Sequence, residues 1–110
     1  MAKLYSNLHS NIGTLPVAIV STNTANNATI LGLNICNKTY DVITADGYFT
    51  FNNNNFFVFN NLSIDPKTTV VAIGDNQRLI LNGNTSFYLK ASSNNSLDAI
   101  VSYANTEIVL

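Results

Sequence analysis

The residues of this chain that could do chemistry are few: one histidine, one cysteine and six carboxylates in 110 positions. His9 stands among Ser10 and Asn11 with no second ligand type beside it, and reads as a surface loop histidine. Cys36 is the single cysteine and cannot close an internal bridge. Its strand-like setting suits a small buried or half-buried apolar residue. Paired carboxylates could share acid and base roles, and the candidates are Asp41, Asp46, Asp65, Asp75, Asp98 and Glu107. Asp46, Asp65 and Asp75 adjoin Gly or Pro, where a short acidic side chain caps backbone N–H groups of a turn. The sequence holds no nucleophile elbow, no glycine-rich phosphate loop, no His or Cys cluster at metal spacing and no calcium-loop spacing. No catalytic, cofactor-binding or metal-binding residue is expected, and the chain is not expected to be an enzyme. Five Asn-x-Ser/Thr triplets begin at Asn27, Asn37, Asn61, Asn84 and Asn94. A chain so rich in these residues produces about that many by chance, so they carry little weight.

Composition narrows the partners. Charged residues make up 10% of the chain, against about 25% in ordinary soluble domains. Nineteen asparagines fill the polar positions instead, which gives a surface of amides and hydroxyls. A net charge of −1 leaves little repulsion between copies and favours association. The cations Lys3, Lys38, Lys67, Arg78 and Lys90 are scattered rather than striped, so direct nucleic-acid binding is not expected. No apolar run approaches a membrane span, and the first residues lack the apolar core of a signal peptide.

The elements that must position these residues are strands. Alternation in twos marks the runs 69–73, 78–81, 86–91 and 97–103, each with one face to bury. Turn chemistry separates them at Asp65-Pro66, Gly74-Asp75-Asn76, Asn82-Gly83 and residues 92–96. Turn signals every eight to twelve residues point to a sandwich or barrel, and no stretch carries a helical period. Upstream, residues 3–8 form a short run, a strand or an arm reaching a neighbour. Pro16 suits the entry of a strand at 15–20. Residues 28–36 read as a central strand with Leu31, Leu33 and Ile35 on one face, and Gly32 marks a bulge or a close approach. Asp46-Gly47 is expected to be a two-residue hairpin loop joining 40–45 to 48–51. The four asparagines at 52–55 then form a loop. The expected organisation is an N-terminal arm or edge strand over 1–14 and a single sandwich domain over 15–110.

Phe49, Phe51, Phe56, Phe57 and Phe59 put five of the six phenylalanines within eleven residues. Alternation over 56–59 sends two side chains each way. One pair then faces this domain's core, and the other faces either a second buried side or a neighbouring subunit. Apolar patches left bare usually mark interfaces. The expected interface residues are Lys3, Leu4, Tyr5, Tyr48, Phe56, Phe57 and Phe59.

Several stretches together resemble a known family. These are ATILGLNICN from Ala28, Phe56 to Ile64 followed by Asp65-Pro66, the acidic turn at Asp75 leading into RLIL, SFYLKASS from Ser86, and LDAIVSYANTEI from Leu97. Over about three quarters of its length the chain is similar to the small β-sandwich virion structural proteins of tailed phages, marine cyanophages especially. The resemblance implies an all-β, antiparallel, jelly-roll-like sandwich of about eight strands. It also implies a subunit that decorates or cements a capsid, or joins the neck or tail. The partners would be copies of itself or major capsid or tail proteins, with the virion as its location. The asparagine tract and the adjacent Phe cluster depart from that family's pattern. A carbohydrate-binding module on the same sandwich, possibly for host-surface recognition, is the alternative: Tyr and Asn side chains would hold a glycan, although Trp, a common sugar platform, is absent.

Overall fold

The computed structural model describes residues 3–74 and 77–107, without the side chain of Glu107; Asp75 and Asn76 of the expected turn lie outside the described residues. The strands are β1 (Lys3–Ile12), β2 (Val17–Ser21), β3 (Asn26–Asn37), β4 (Ile43–Phe51), β5 (Asn54–Ile64), β6 (Thr69–Ile73), β7 (Leu79–Leu81), β8 (Ser86–Ala91) and β9 (Leu97–Glu107). One antiparallel sheet runs β1-β9-β3-β6, with β7 also on β3; the other runs β2-β8-β4-β5. The short β7 pairs the start of β3 and β6 pairs its end, so the two share one lane. Eight lanes in two layers, in this order, are the double Greek key of a jelly roll. The expected sandwich of about eight strands is present, its ninth strand arising where that lane is interrupted.

Alternate residues of the two layers meet in the core. Ile30, Leu33, Ile35, Leu97 and Val101 from one sheet, with Ile19, Phe87 and Leu89 from the other, are at most 1% exposed. Each such side chain stabilises the fold by roughly 1.5–3 kcal/mol relative to exposure. A bulge between Ile30 and Gly32 makes Leu31 the extra residue of β3. The expected grouping of Leu31, Leu33 and Ile35 on one face is thereby corrected: Ile30 rather than Leu31 joins Leu33 and Ile35 in the core, because the bulge shifts the alternation by one.

Asparagine does the work that glycine usually does in turns. Positive φ occurs at Asn11, Asn52, Asn53, Asn61, Asn84, Asn95 and Lys67, and at no glycine among the described residues. A short amide side chain tolerates this left-handed region better than most. Asn52 and Asn53, at φ 52° and 62°, form the two-residue loop between β4 and β5, the geometry a tight hairpin needs. The expected Asp46-Gly47 hairpin is therefore wrong, and β4 passes straight through both residues. Gly47 is required for space: a Cβ there would lie 2.4 Å from the Phe59 ring.

Asn37 is fully buried and fully used. Its amide nitrogen donates to the carbonyls of Asp41, Ile64 and Asp65 at 2.8, 3.1 and 3.1 Å. Its oxygen accepts from the N–H and hydroxyl of Thr39 at 2.9 and 2.8 Å. One amide thus ties the β3–β4 connection to the β5–β6 turn, satisfying backbone groups that burial would otherwise leave unpaired. His9 is a second correction. It lies in β1 opposite Ala99, half-buried, with Nε2 buried and unpartnered rather than out in a loop. Its polar neighbours Ser10 and Asn11 hid a strand whose partner, β9, is distant in sequence.

Candidate functional site

The chemistry-bearing side chains among the described residues do not converge. Among the described residues no three of His, Cys, Asp and Glu are grouped to hold a metal ion, and no helix is long and apolar enough to cross a membrane. Two carboxylates instead cap irregular backbone. Asp46 accepts the N–H of Asn61 at 2.7 Å and faces Lys90 at 3.8 Å. Asp98 accepts the N–H of Asn11 at 3.1 Å and pairs with Lys38 at 3.2 Å. Both capped asparagines have positive φ. Asp41 and Asp65 are exposed, and Cys36 is half-buried.

The residues singled out for contact fall in two places. Lys3, Leu4 and Tyr5 lie on β1, the edge of the first sheet, with Tyr5 stacked on Tyr103 at 5.5 Å. Tyr48, Phe56, Phe57 and Phe59 lie on the β4–β5 hairpin, whose β5 is the edge of the second sheet. β1 sits by β2 and β5 by β6, so the two groups occupy opposite flanks.

On the outer face of the second sheet, Tyr88, Tyr48 and Phe57 stand side by side in register. Tyr48 stacks on Tyr88 at 5.6 Å and meets Phe57 at 5.1 Å. The row buries its middle member, and Tyr48 is only 7% exposed. Burial first, then Tyr88 and the Asp46 carboxylate, pushes the Tyr48 phenol above the ordinary tyrosine value. A bulge leaves Val58 unpaired between Phe57 and Phe59 and turns Phe59 inward onto Gly47. Phe56, Phe57 and Val58 remain exposed along a strand with no charged residue.

The outer face of the first sheet is built differently. Leu4, Ala104, Thr29 and Ile80 form one row across the strands, and Leu8, Ile100, Asn34 and Val71 form another. Between them runs a row of small residues, Ser6, Ser102 and Gly32. Leu4, Leu8, Val71 and Ile80 are each more than 60% exposed. Beside Gly32, Gly74 and Val71 the small row deepens into a recess of about 450 Å³. Sequence reasoning did not assemble this face. An isoleucine in the outward phase of residues 97–103 was its one local signal.

No protein-family model matches the chain, and no curated protein matches its sequence. Among solved structures, it is similar to a subunit of the disulfide-linked pili of Bacillus endospore appendages. There the TM-score is 0.57 at 5% identity, over 99% of this chain and 88% of that one. It is also similar to a chain of infectious bursal disease virus, Gx strain, with TM-score 0.50 and 12% identity over 96% of this chain. It spans 32% of that viral chain. A capsid structure of a Helicobacter pylori bacteriophage matches at TM-score 0.49 and 10% identity, over 99% of this chain and 94% of that one. At these identities the likeness is one of fold.

Proposed function

We propose that this chain is a non-enzymatic structural subunit of a virus particle, a phage virion protein that decorates or cements the capsid or joins the neck or tail. The observation that carries this reading is where the spare apolar surface lies. It is spread over an unpaired sheet edge and an outer sheet face, and among the described residues no three of His, Cys, Asp and Glu converge. The free edge of β5 offers backbone N–H and C=O groups to a neighbour's strand. Phe56 and Phe57 supply apolar contact there, with Tyr48 behind them and Phe59 bracing the strand from inside. Lys3, Leu4 and Tyr5 offer a second contact on the opposite flank. A standard interface takes about 800 Å² from each partner, roughly an eighth of the 6521 Å² this chain exposes. Repetition around a particle multiplies modest contacts into firm attachment. A jelly roll shared with a chain of infectious bursal disease virus and with a pilus subunit supports an assembly role. The glycan-binding alternative is less well supported, because Tyr48 is closed between its neighbours and offers no open ring face.

Co-sedimentation tests the proposal. Purified chain is added to virus particles that lack it, beside a Val58→Lys variant that puts charge on the β5 edge. The wild type is expected in the pellet and the variant in the supernatant. Wild-type chain that stays in the supernatant overturns the proposal.

A further inference from the structure

The side-chain amide of asparagine is thermally labile, and its fate depends on the residue that follows. The backbone nitrogen of that residue can attack the amide carbon, and a glycine leaves the approach open because it carries no Cβ. Of the nineteen asparagines, only Asn82 is followed by glycine. Asparagines in other turns are restrained by what the next N–H does. After Asn84, the Thr85 N–H donates to the Thr22 hydroxyl at 3.0 Å. After Asn95, the Ser96 N–H donates to the Ile12 carbonyl at 3.1 Å. After Asn37, which is itself buried, the Lys38 N–H donates to the Ser96 carbonyl at 2.9 Å. Attack by any of these nitrogens would first have to break its hydrogen bond.

Asn82 lacks that restraint. It is exposed in the loop between β7 and β8, and among the described residues neither its side-chain amide nor the Gly83 N–H makes a hydrogen bond. Its backbone carbonyl alone is engaged, accepting the Thr22 hydroxyl at 2.7 Å. A Cβ at position 83 would lie 2.9 Å from the Asn23 carbonyl oxygen. The fold thus calls for glycine at the one place where glycine makes its neighbour reactive.

We infer that Asn82 is a site of spontaneous modification, at which the folded chain turns an amide into a carboxylate without an enzyme. The Gly83 nitrogen bonds to Asn82 Cγ and the Cγ–Nδ2 bond breaks. The displaced nitrogen takes up the Gly83 N–H proton and leaves as ammonia. Water then opens the five-membered imide at one of its two carbonyls. Opening at Cγ gives aspartate, and opening at the backbone carbonyl gives isoaspartate, whose main chain runs through the side-chain carbon. Either product adds one negative charge to a chain whose net charge is −1, and so raises the repulsion between copies. Isoaspartate also lengthens the main chain beside the carbonyl that holds Thr22. Thr22 in turn is bonded to the Thr85 carbonyl, which ties the β2–β3 loop to the β7–β8 loop.

Incubation of the full folded chain at neutral and mildly alkaline pH tests this, with peptide mapping by mass spectrometry and an isoaspartyl methyltransferase assay. Asn82 is expected to convert before any other asparagine, and faster at the higher pH, where the attacking nitrogen loses its proton more readily. Both aspartate and isoaspartate are expected at position 82, while Asn84 and Asn95 stay intact over the same period. Asn82→Gln is expected to keep the wild-type circular dichroism and to lose the first acidic species to appear. Conversion that begins at another asparagine overturns the inference. So does an Asn82 that stays intact in the folded chain, whether or not it converts in urea.

Discussion

The two outer faces of the sandwich start from similar apolar content and end in different states. On the second sheet the large side chains are aromatic and adjacent in one row, so Tyr88 and Phe57 cover Tyr48 from both sides. On the first sheet they are aliphatic and stand in rows with serine and glycine between them, so Leu4 and Leu8 stay 76% and 73% exposed. Cross-strand neighbours are the unit in which a sheet face is stabilised. Register, more than hydrophobicity, therefore decides whether the large side chains of a face cover one another or stay exposed.

Truncation at matched places breaks or sharpens this contrast. Tyr48→Ala removes the middle of the sealed row and is expected to cost about 3 kcal/mol of unfolding free energy in urea. Leu8→Ala on the open face is expected to stay within about 0.5 kcal/mol of wild type. Equal losses would erase the distinction. The glycines give a second pair. Gly47→Ala forces a methyl into the Phe59 ring and is expected to cost roughly 1–3 kcal/mol. Gly32→Ala, whose nearest contact would be an ordinary 3.7 Å, is expected to leave folding unchanged.

Alkaline titration probes the sealed row without mutation. The Tyr48 phenol ionises above the ordinary tyrosine value because burial disfavours the phenolate, with Tyr88 and Asp46 adding to the effect. The folded state thus holds this proton more tightly than the unfolded chain. The resulting stability is complete below the ordinary tyrosine value and is lost as pH rises through the raised one. Phenolate absorbance is expected to show one late tyrosine, which Tyr48→Phe removes. A small effect is expected at Lys90, whose side chain is 38% exposed and 3.8 Å from Asp46. Lys90→Ala is expected to cost less than about 1 kcal/mol in dilute buffer and less again in high salt.

Much of the fold was legible because strand alternation is local. The runs 69–73 and 86–91 coincide with β6 and β8, and Pro16 immediately precedes β2. The errors came where one residue met two demands. Gly47 looked like a turn glycine, yet its reason is a ring that arrives from β5. The true turn, Asn52-Asn53, was hidden inside four identical residues. Bulges at Leu31 and Val58 shifted faces in ways that alternation could not foresee. Of the candidate surfaces, the Phe-rich hairpin was visible because it is contiguous. Leu8, Ile100 and Val71 come from β1, β9 and β6, and only the Greek-key order brings them onto one face.

Electron cryo-microscopy of intact particles tests the central claim most directly. A structural subunit is expected to appear as this jelly roll in symmetry-related copies, with a neighbour against the β5 edge. Particles that contain no such density, or copies whose exposed apolar surfaces all face solvent, would contradict it.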